Sequence, residues 1–233
     1  PTPGLVLEVE APNPNTRFDT AGVQVWCLTT AALDPVRLIP QVTLAPNPSW
    51  SRAYGHPGVQ DTAGRLRERA FAMMAAPTLV RVLDGLSIWL EPGDELSRAL
   101  LLSGSYEPET LLAIAALLPP GGVCVDVGAH CGLLSVFAAR RVGPAGQVVS
   151  FEPSPREFAR LQANLAAGDL TWVTTHQAAV ADAEGTATLR LAEPGHAGHN
   201  TIGTAFAYEG VAVAELAQVH ATTLDAALAG LDR

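Results

Sequence analysis

Residues 123–132 read Val-Cys-Val-Asp-Val-Gly-Ala-His-Cys-Gly, and residues 148–153 read Val-Val-Ser-Phe-Glu-Pro. The first stretch begins as an apolar run, passes through Asp126 and ends in a turn holding Gly128 and Gly132. Leu133, Leu134, Val136 and Phe137 follow at helical spacing. This pattern predicts a buried strand, a tight glycine turn and then a helix. The second stretch predicts another strand, closed by the carboxylate of Glu152. Two successive strands then present Asp126 and Glu152 at their carboxyl ends, where open α/β sheets bind ligands.

The chemistry of the turn separates two kinds of nucleotide. A dinucleotide fingerprint spaces its glycines G-x-G-x-x-G and seats pyrophosphate on the helix N-terminus. Here Asp126 precedes Gly128 by two positions, and no middle glycine stands between Gly128 and Gly132. A carboxylate there repels pyrophosphate and suits a ligand bearing a sulfonium and an ammonium group. Glu152 can take a ribose diol with both oxygens, as the acidic residue of dinucleotide folds does. S-adenosylmethionine has all these groups and no phosphate, so it is the expected cofactor.

The chain has 233 residues, is 48% hydrophobic and carries a formal net charge of −9. That length suits one large domain, or one domain with an appendage. The acidic balance argues against a nucleic-acid partner met through a basic face. Three cysteines, Cys27, Cys124 and Cys131, show no zinc-like pairing. Cys124, inside the predicted strand, reads as a small buried hydrophobe. A reducing, cytoplasmic setting is expected. No apolar run is long enough to span a membrane, and no signal peptide is visible.

Up to about residue 57 the chain is broken by prolines and turn pairs, with strands expected over 5–9, 23–28 and 36–44. Trp26 and Trp50 read as buried anchors there. A helix is predicted over 61–76, ended by Pro77. Runs at 78–83 and 86–90 flank Asp84-Gly85, a hairpin signal. Helices are expected over 95–102 and 110–118. Beyond Glu152, Pro155 suits a first helical turn. A third strand is expected over 171–176, and residues 178–182 carry the chain away. Strands are then predicted over 186–191, 211–213 and 218–222, with Thr223 capping a last helix. The polar, glycine-rich stretch 195–203 reads as an active-site loop.

Several stretches together resemble FkbM-type methyltransferases, a family of class I S-adenosylmethionine-dependent enzymes. They are Gly104-Ser-Tyr-Glu-Pro-Glu-Thr, Val125-Asp-Val-Gly-Ala-His-Cys-Gly and Gly143-Pro-Ala-Gly-Gln-Val-Val-Ser-Phe-Glu-Pro-Ser-Pro. Leu161-Gln-Ala-Asn164, Ala179-Val-Ala-Asp-Ala-Glu-Gly185, Gly198-His-Asn-Thr-Ile and Thr222-Thr-Leu-Asp225 complete the resemblance, which runs from about residue 79 onward. The family usually has Asn at the position of His130. It also continues past Thr-Leu-Asp into a Lys-x-Asp-x-Glu-Gly strand that is not found here. The expected fold is therefore an α/β, Rossmann-like class I methyltransferase sheet, incomplete at its C-terminal side in a chain cut short or split. A small β-rich N-terminal appendage precedes it. The expected divisions are an irregular appendage over 1–60, a helix-and-hairpin lead-in over 61–104, and the cofactor domain over 105–233. An uncovered strand edge would favour association, so the chain is compatible with a homo-oligomer.

The candidate cofactor contacts are Asp126, Gly128, His130, Gly132 and Glu152 around the turn, with Pro153 and Ser154 just beyond. Tyr106 and Glu107 join them upstream. The resemblance adds adenine contacts at Ala179. Asn200 and Thr201 are acceptor-side candidates. His199 is the candidate catalytic base, since methyl transfer to a hydroxyl needs alignment and a proton acceptor. His196 and His199 lack an evident third ligand, so no metal is expected. The function expected is O-methylation of a hydroxyl on a sugar, glycolipid or natural-product intermediate. The substrate is thus a small-molecule or glycan acceptor, a class implied by the resemblance alone. A non-catalytic cofactor-binding module and an NAD-dependent oxidoreductase are the alternatives.

Overall fold

A computed structural model describes residues 57–82, 85–193, 196–204 and 211–229, with side chains from residue 64 onward. The strands expected before residue 57, with Trp26, Cys27 and Trp50, lie outside the described residues, as do Leu83, Asp84 and Gly195. The chain divides into two compact units, one ending at Tyr106 and the other beginning at Glu107.

The first unit contains helix α1 (Pro57–Ala72), strands β1 (Thr78–Val82) and β2 (Leu86–Leu90), and helix α2 (Glu95–Ser103). Helix α1 starts and ends four residues earlier than its apolar spacing predicts, with Pro57 at its start, a position proline favours. The hairpin is antiparallel and pairs Val82 with Leu86. Gly85, just before β2, is left-handed at φ 81°, a conformation that glycine adopts without a side-chain penalty. Val80, Val82, Leu86, Ile88 and Leu90 point inward, every second residue, as half-buried strands require. Asp94 caps α2, accepting from Ser97 N at 2.9 Å and Ser97 Oγ at 2.5 Å.

The second unit opens with helix α3 (Pro108–Leu117) and continues β3 (Val123–Val127), α4 (Leu133–Val142), β4 (Gln147–Phe151), α5 (Pro155–Ala167) and β5 (Val173–His176). The three strands form one parallel sheet in the order β3-β4-β5. Asp126 pairs with Ser150, and Val127 with Phe151, which pairs in turn with His176. Phe151 stacks on the His176 ring with centroids 4.8 Å apart. The strand–helix–strand alternation is the Rossmann-like α/β arrangement expected from sequence.

A second sheet has the order β6-β8-β7, from β6 (Ala179–Val180), β7 (Gly185–Ala192) and β8 (Val213–Thr222). Residues 178–182 therefore do more than carry the chain away, since Ala179 and Val180 pair in parallel with Ala221 and Thr222. The two short strands expected over 211–213 and 218–222 are one ten-residue strand that begins at Val213. Thr223 caps helix α6 (Leu224–Ala227) by accepting from Ala226 N at 3.1 Å.

Strand β3 differs from its expected buried state. Val125 is 37% exposed while its partner Val149 is 2% exposed. Strand β4 is central and both its faces are covered, whereas β3 has no second neighbour among the described residues. Cys124 is accordingly half-buried rather than a fully buried hydrophobe.

Candidate functional site

The site is built where β3 and β4 end together. Beyond β3 the chain turns through Gly128, whose φ is 80°. The amides of Gly128 and Ala129 both donate to Phe151 O at 2.9 Å, which fastens the turn to the end of β4. Those N–H groups are therefore directed at protein, not at a ligand phosphate, which argues against a pyrophosphate seat. A Cβ built on Gly128 would meet nothing within 4 Å. The turn is thus open on the side where Gly128 lacks a side chain, and a ligand can approach its backbone.

Gly132 is a different case. Its φ is 85°, and a Cβ there would collide with Leu161 Cδ1 of α5. Its glycine is explained by the contact between the start of α4 and α5, so the ligand role expected for it is not needed to account for it.

Asp126 lies in β3 with its Oδ2 accepting from Ser135 Oγ at 2.5 Å. Ser135 Oγ also lies 2.7 Å from Ser150 Oγ. Burial pushes the Asp126 carboxyl above its ordinary range, and the bond from Ser135 partly restores it.

Glu152 follows β4 directly and is 5% exposed. Its Oε2 accepts from His130 N at 2.7 Å and its Oε1 from Ser154 N at 2.8 Å. Burial pushes its pKa from 4.5 to about 7; the amides of Ser154 and His130 oppose the rise, and the charges of Glu157 and Asp126 add to it. A carboxylate offers about four acceptor positions, so two amides leave capacity for two ligand hydroxyls. The residues present thus fit a ribose diol beside an open glycine turn.

His130 itself is left-handed, with φ 53°. Its Nε2 lies 3.3 Å from Glu157 Oε2. Ser154 is 1% exposed and caps α5, accepting from Glu157 N at 3.5 Å. Pro153 is half-buried between Glu152 and this cap. Glu107 is left-handed at φ 48°, and its Oε2 accepts from Thr110 Oγ1 at 3.3 Å. Tyr106 is half-buried at the end of the other unit.

Ala179 is 3% exposed and packs with Leu189 and Val219 in the core of the second sheet. Asn200 and Thr201 are committed to β7. Asn200 Oδ1 accepts from Ala192 N at 2.9 Å, and Thr201 exchanges backbone bonds with Arg190 at 2.8 Å and 3.1 Å. His199 ends a short 3₁₀ turn, Ala197–His199, with its ring centroid 5.9 Å from that of His196.

Five residues around the site were not singled out from sequence: Ser135, Ser150, Glu157, Arg160 and Asn164. Asn164 Nδ2 donates to Cys131 O at 2.7 Å, tying α5 to the glycine turn. For Glu157 a signal exists. Ser154-Pro-Arg-Glu157 is a Ser-x-x-Glu capping box just before an apolar helix face.

Parallel strands, a glycine turn and a buried strand-end glutamate make a Rossmann-like α/β unit with a candidate ligand site at the carboxyl ends of β3 and β4. Residues 126–230 match the family described as the methyltransferase FkbM domain. A 49-residue stretch is 49% identical to the AMB antimetabolite synthetase AmbE of Pseudomonas aeruginosa, covering 21% of this chain and 2% of that protein. Among solved structures, an S-adenosylmethionine-dependent methyltransferase from Aquifex aeolicus is similar at 22% identity and a TM-score of 0.29, over 36% of this chain and 43% of that one. An S-adenosylmethionine-dependent O-methyltransferase from Thermotoga maritima is similar at 21% identity and a TM-score of 0.30, over 48% and 43%. The chain thus spans less than half the length of these relatives.

Proposed function

We propose that this chain binds S-adenosylmethionine at the β3 and β4 ends and methylates a hydroxyl of a sugar, glycolipid or natural-product intermediate. The observation that carries the cofactor reading is Glu152, a buried carboxylate held by two backbone amides beside the open side of Gly128. When bound, the cofactor supplies an electrophilic methyl group on its sulfonium. Glu152 holds the ribose hydroxyls, Asp126 faces the amino-acid portion, and Gly128 leaves room for both. His199 is the proposed base for the acceptor hydroxyl, and Asn200 and Thr201 shape its loop. The similarity to an antimetabolite synthetase favours a natural-product acceptor within that class. The chain is proposed to divide into an appendage over 1–60, a lead-in over 61–104 and a cofactor domain over 105–233. The free thiols of Cys124 and Cys131 accord with a reducing, cytoplasmic setting.

Calorimetric titration with S-adenosylmethionine and, separately, with NAD tests the cofactor. The wild type should bind the first and not the second. Glu152→Ala should weaken S-adenosylmethionine binding by roughly 1.5–3 kcal/mol, the range for a hydrogen bond to a charged group. A folded Glu152→Ala protein with unchanged affinity removes Glu152 from the site.

A further inference from the structure

A charged cluster stands directly behind the site. Glu157 is completely buried in the first turn of α5. Its Oε2 lies 2.7 Å from Arg160 Nη1 and 3.3 Å from His130 Nε2. Arg160 is also buried, so a guanidinium sits beside a carboxylate away from water. Such pairs are costly to desolvate and weak evidence for stability. A buried pair placed against a ligand site therefore invites a question about what it holds in place.

The local geometry gives the answer. In an ordinary capping box the glutamate three residues after the cap reaches back to the cap residue's own N–H. Here the cap residue is Ser154, and its N–H is given to Glu152 Oε1 instead. Glu157 is correspondingly turned to Arg160 and His130. His130 is one of three non-glycine residues with positive φ among the described residues. Such conformations cost free energy and persist where the surroundings over-determine them, most often at ligand sites. The His130 amide is bound to Glu152 Oε2, and its ring nitrogen Nε2 lies 3.3 Å from Glu157 Oε2. Ring and amide belong to one residue, so holding the ring in place also aims the amide.

We propose that Glu157 is a positioning residue for the cofactor site: it anchors the His130 imidazole and thereby aims the His130 amide that orients the Glu152 carboxylate. Arg160 pairs with the buried Glu157 carboxylate through Nη1 at 2.7 Å. This inference rests on reading Glu152 as the ribose ligand. It adds two α5 residues and the His130 side chain to a site otherwise built on backbone turns and the carboxylates of Asp126 and Glu152. It also accounts for a titratable ring at His130: an imidazole can meet a buried carboxylate across the start of α5.

The test compares S-adenosylhomocysteine with its 3′-deoxyribose analogue by calorimetry on the purified protein. The ratio of their dissociation constants reads how well Glu152 is aimed at the ribose. A generally loosened fold weakens both ligands and leaves the ratio alone. The wild-type ratio should be on the order of tenfold or more, as expected for a hydrogen bond to a charged group. Glu157→Gln keeps the shape of the side chain and should bring the ratio close to unity. His130→Ala should do the same, and the double variant should add nothing further. A wild-type ratio retained in Glu157→Gln overturns the positioning role while leaving Glu152 in place, provided Glu152→Ala abolishes the ratio. A wild-type ratio near unity, or one that survives Glu152→Ala, overturns the ribose reading and this inference with it. Should Glu157→Gln fail to fold, His130→Ala decides alone, since it leaves the Glu157–Arg160 pair intact. A retained ratio there refutes the proposal.

Discussion

Gly128 and Gly132 are four residues apart and both left-handed, so a sequence-based argument treats them alike, yet alanine at each should have opposite consequences. The backbone penalty is common to both. A Cβ in the left-handed region costs roughly 1–2 kcal/mol. At Gly128 that is the whole expected cost, because the added methyl meets nothing within 4 Å. At Gly132 the methyl would collide with Leu161 Cδ1 and stand 3.4 Å from Leu161 Cα. Leu161 is 0% exposed, so it has nowhere to go without disturbing α5. Overpacking of this kind adds roughly 1–3 kcal/mol, for a total near 2–5 kcal/mol. Urea unfolding followed by far-ultraviolet circular dichroism should therefore rank wild type above Gly128→Ala above Gly132→Ala. Cofactor titration should give a different pattern. Gly128→Ala should lose S-adenosylmethionine binding while still folded, because its methyl occupies the ligand's approach. A Gly132→Ala protein as stable as Gly128→Ala would refute the packing account. A Gly128→Ala protein with normal affinity would place the ligand elsewhere.

Two further outcomes follow from buried polar groups. Because the folded pKa of Glu152 is raised from 4.5 to about 7, its contribution to folding stability is fully present below pH 4.5 and is lost as pH rises to about 7, by on the order of 3 kcal/mol. Cofactor affinity should run the other way, rising through pH 7 by about tenfold between pH 6 and pH 8, because ribose hydroxyls donate to the ionised carboxylate. Affinity that is flat over that range, measured by calorimetry, would show that Glu152 does not change charge there. Asn164→Ala deletes the 2.7 Å bond to Cys131 O across the base of the turn and should cost roughly 1–3 kcal/mol in urea unfolding. A loss below the error of the measurement would mean that α5 holds the turn by apolar contact alone.

The β3–α4–β4 unit was legible because each of its parts has a local cause. The Val-Cys-Val run, the glycines and the apolar spacing after Gly132 are contained within a dozen residues, and Asp126 and Glu152 close their strands. Glu157 was hidden for the opposite reason. It follows Ser154 by three positions, so its type and place are those of an ordinary capping residue. What distinguishes it is that Glu152, two residues before the cap, has already taken the Ser154 amide. That competition is visible only once the end of β4 is folded against the start of α5. Asn164 is similar: its partner Cys131 lies 33 residues away, and spacing along a helix cannot name a partner beyond it.

The exposure of β3 shows a further limit of apolar patterns. Val123, Val125 and Val127 form the same kind of run as Val148 and Val149, and both runs predict buried strands. In the sheet they differ because burial of a strand is set by its neighbours, not by its own residues. β4 has β3 on one side and β5 on the other, and Val148 and Val149 are 0% and 2% exposed. β3 has β4 alone among the described strands, and its three valines are 37–53% exposed. The apolar run states that β3 is suited to a covered position; strand order determines whether it is covered. The carboxylates are less sensitive to this difference. Asp126 is held by Ser135 of α4, the helix that follows its own strand, and Glu152 by amides of the turn and of the α5 cap. The contacts that fix these two carboxylates therefore come from the β3–α4–β4–α5 segment itself, the same segment whose fold the sequence predicts.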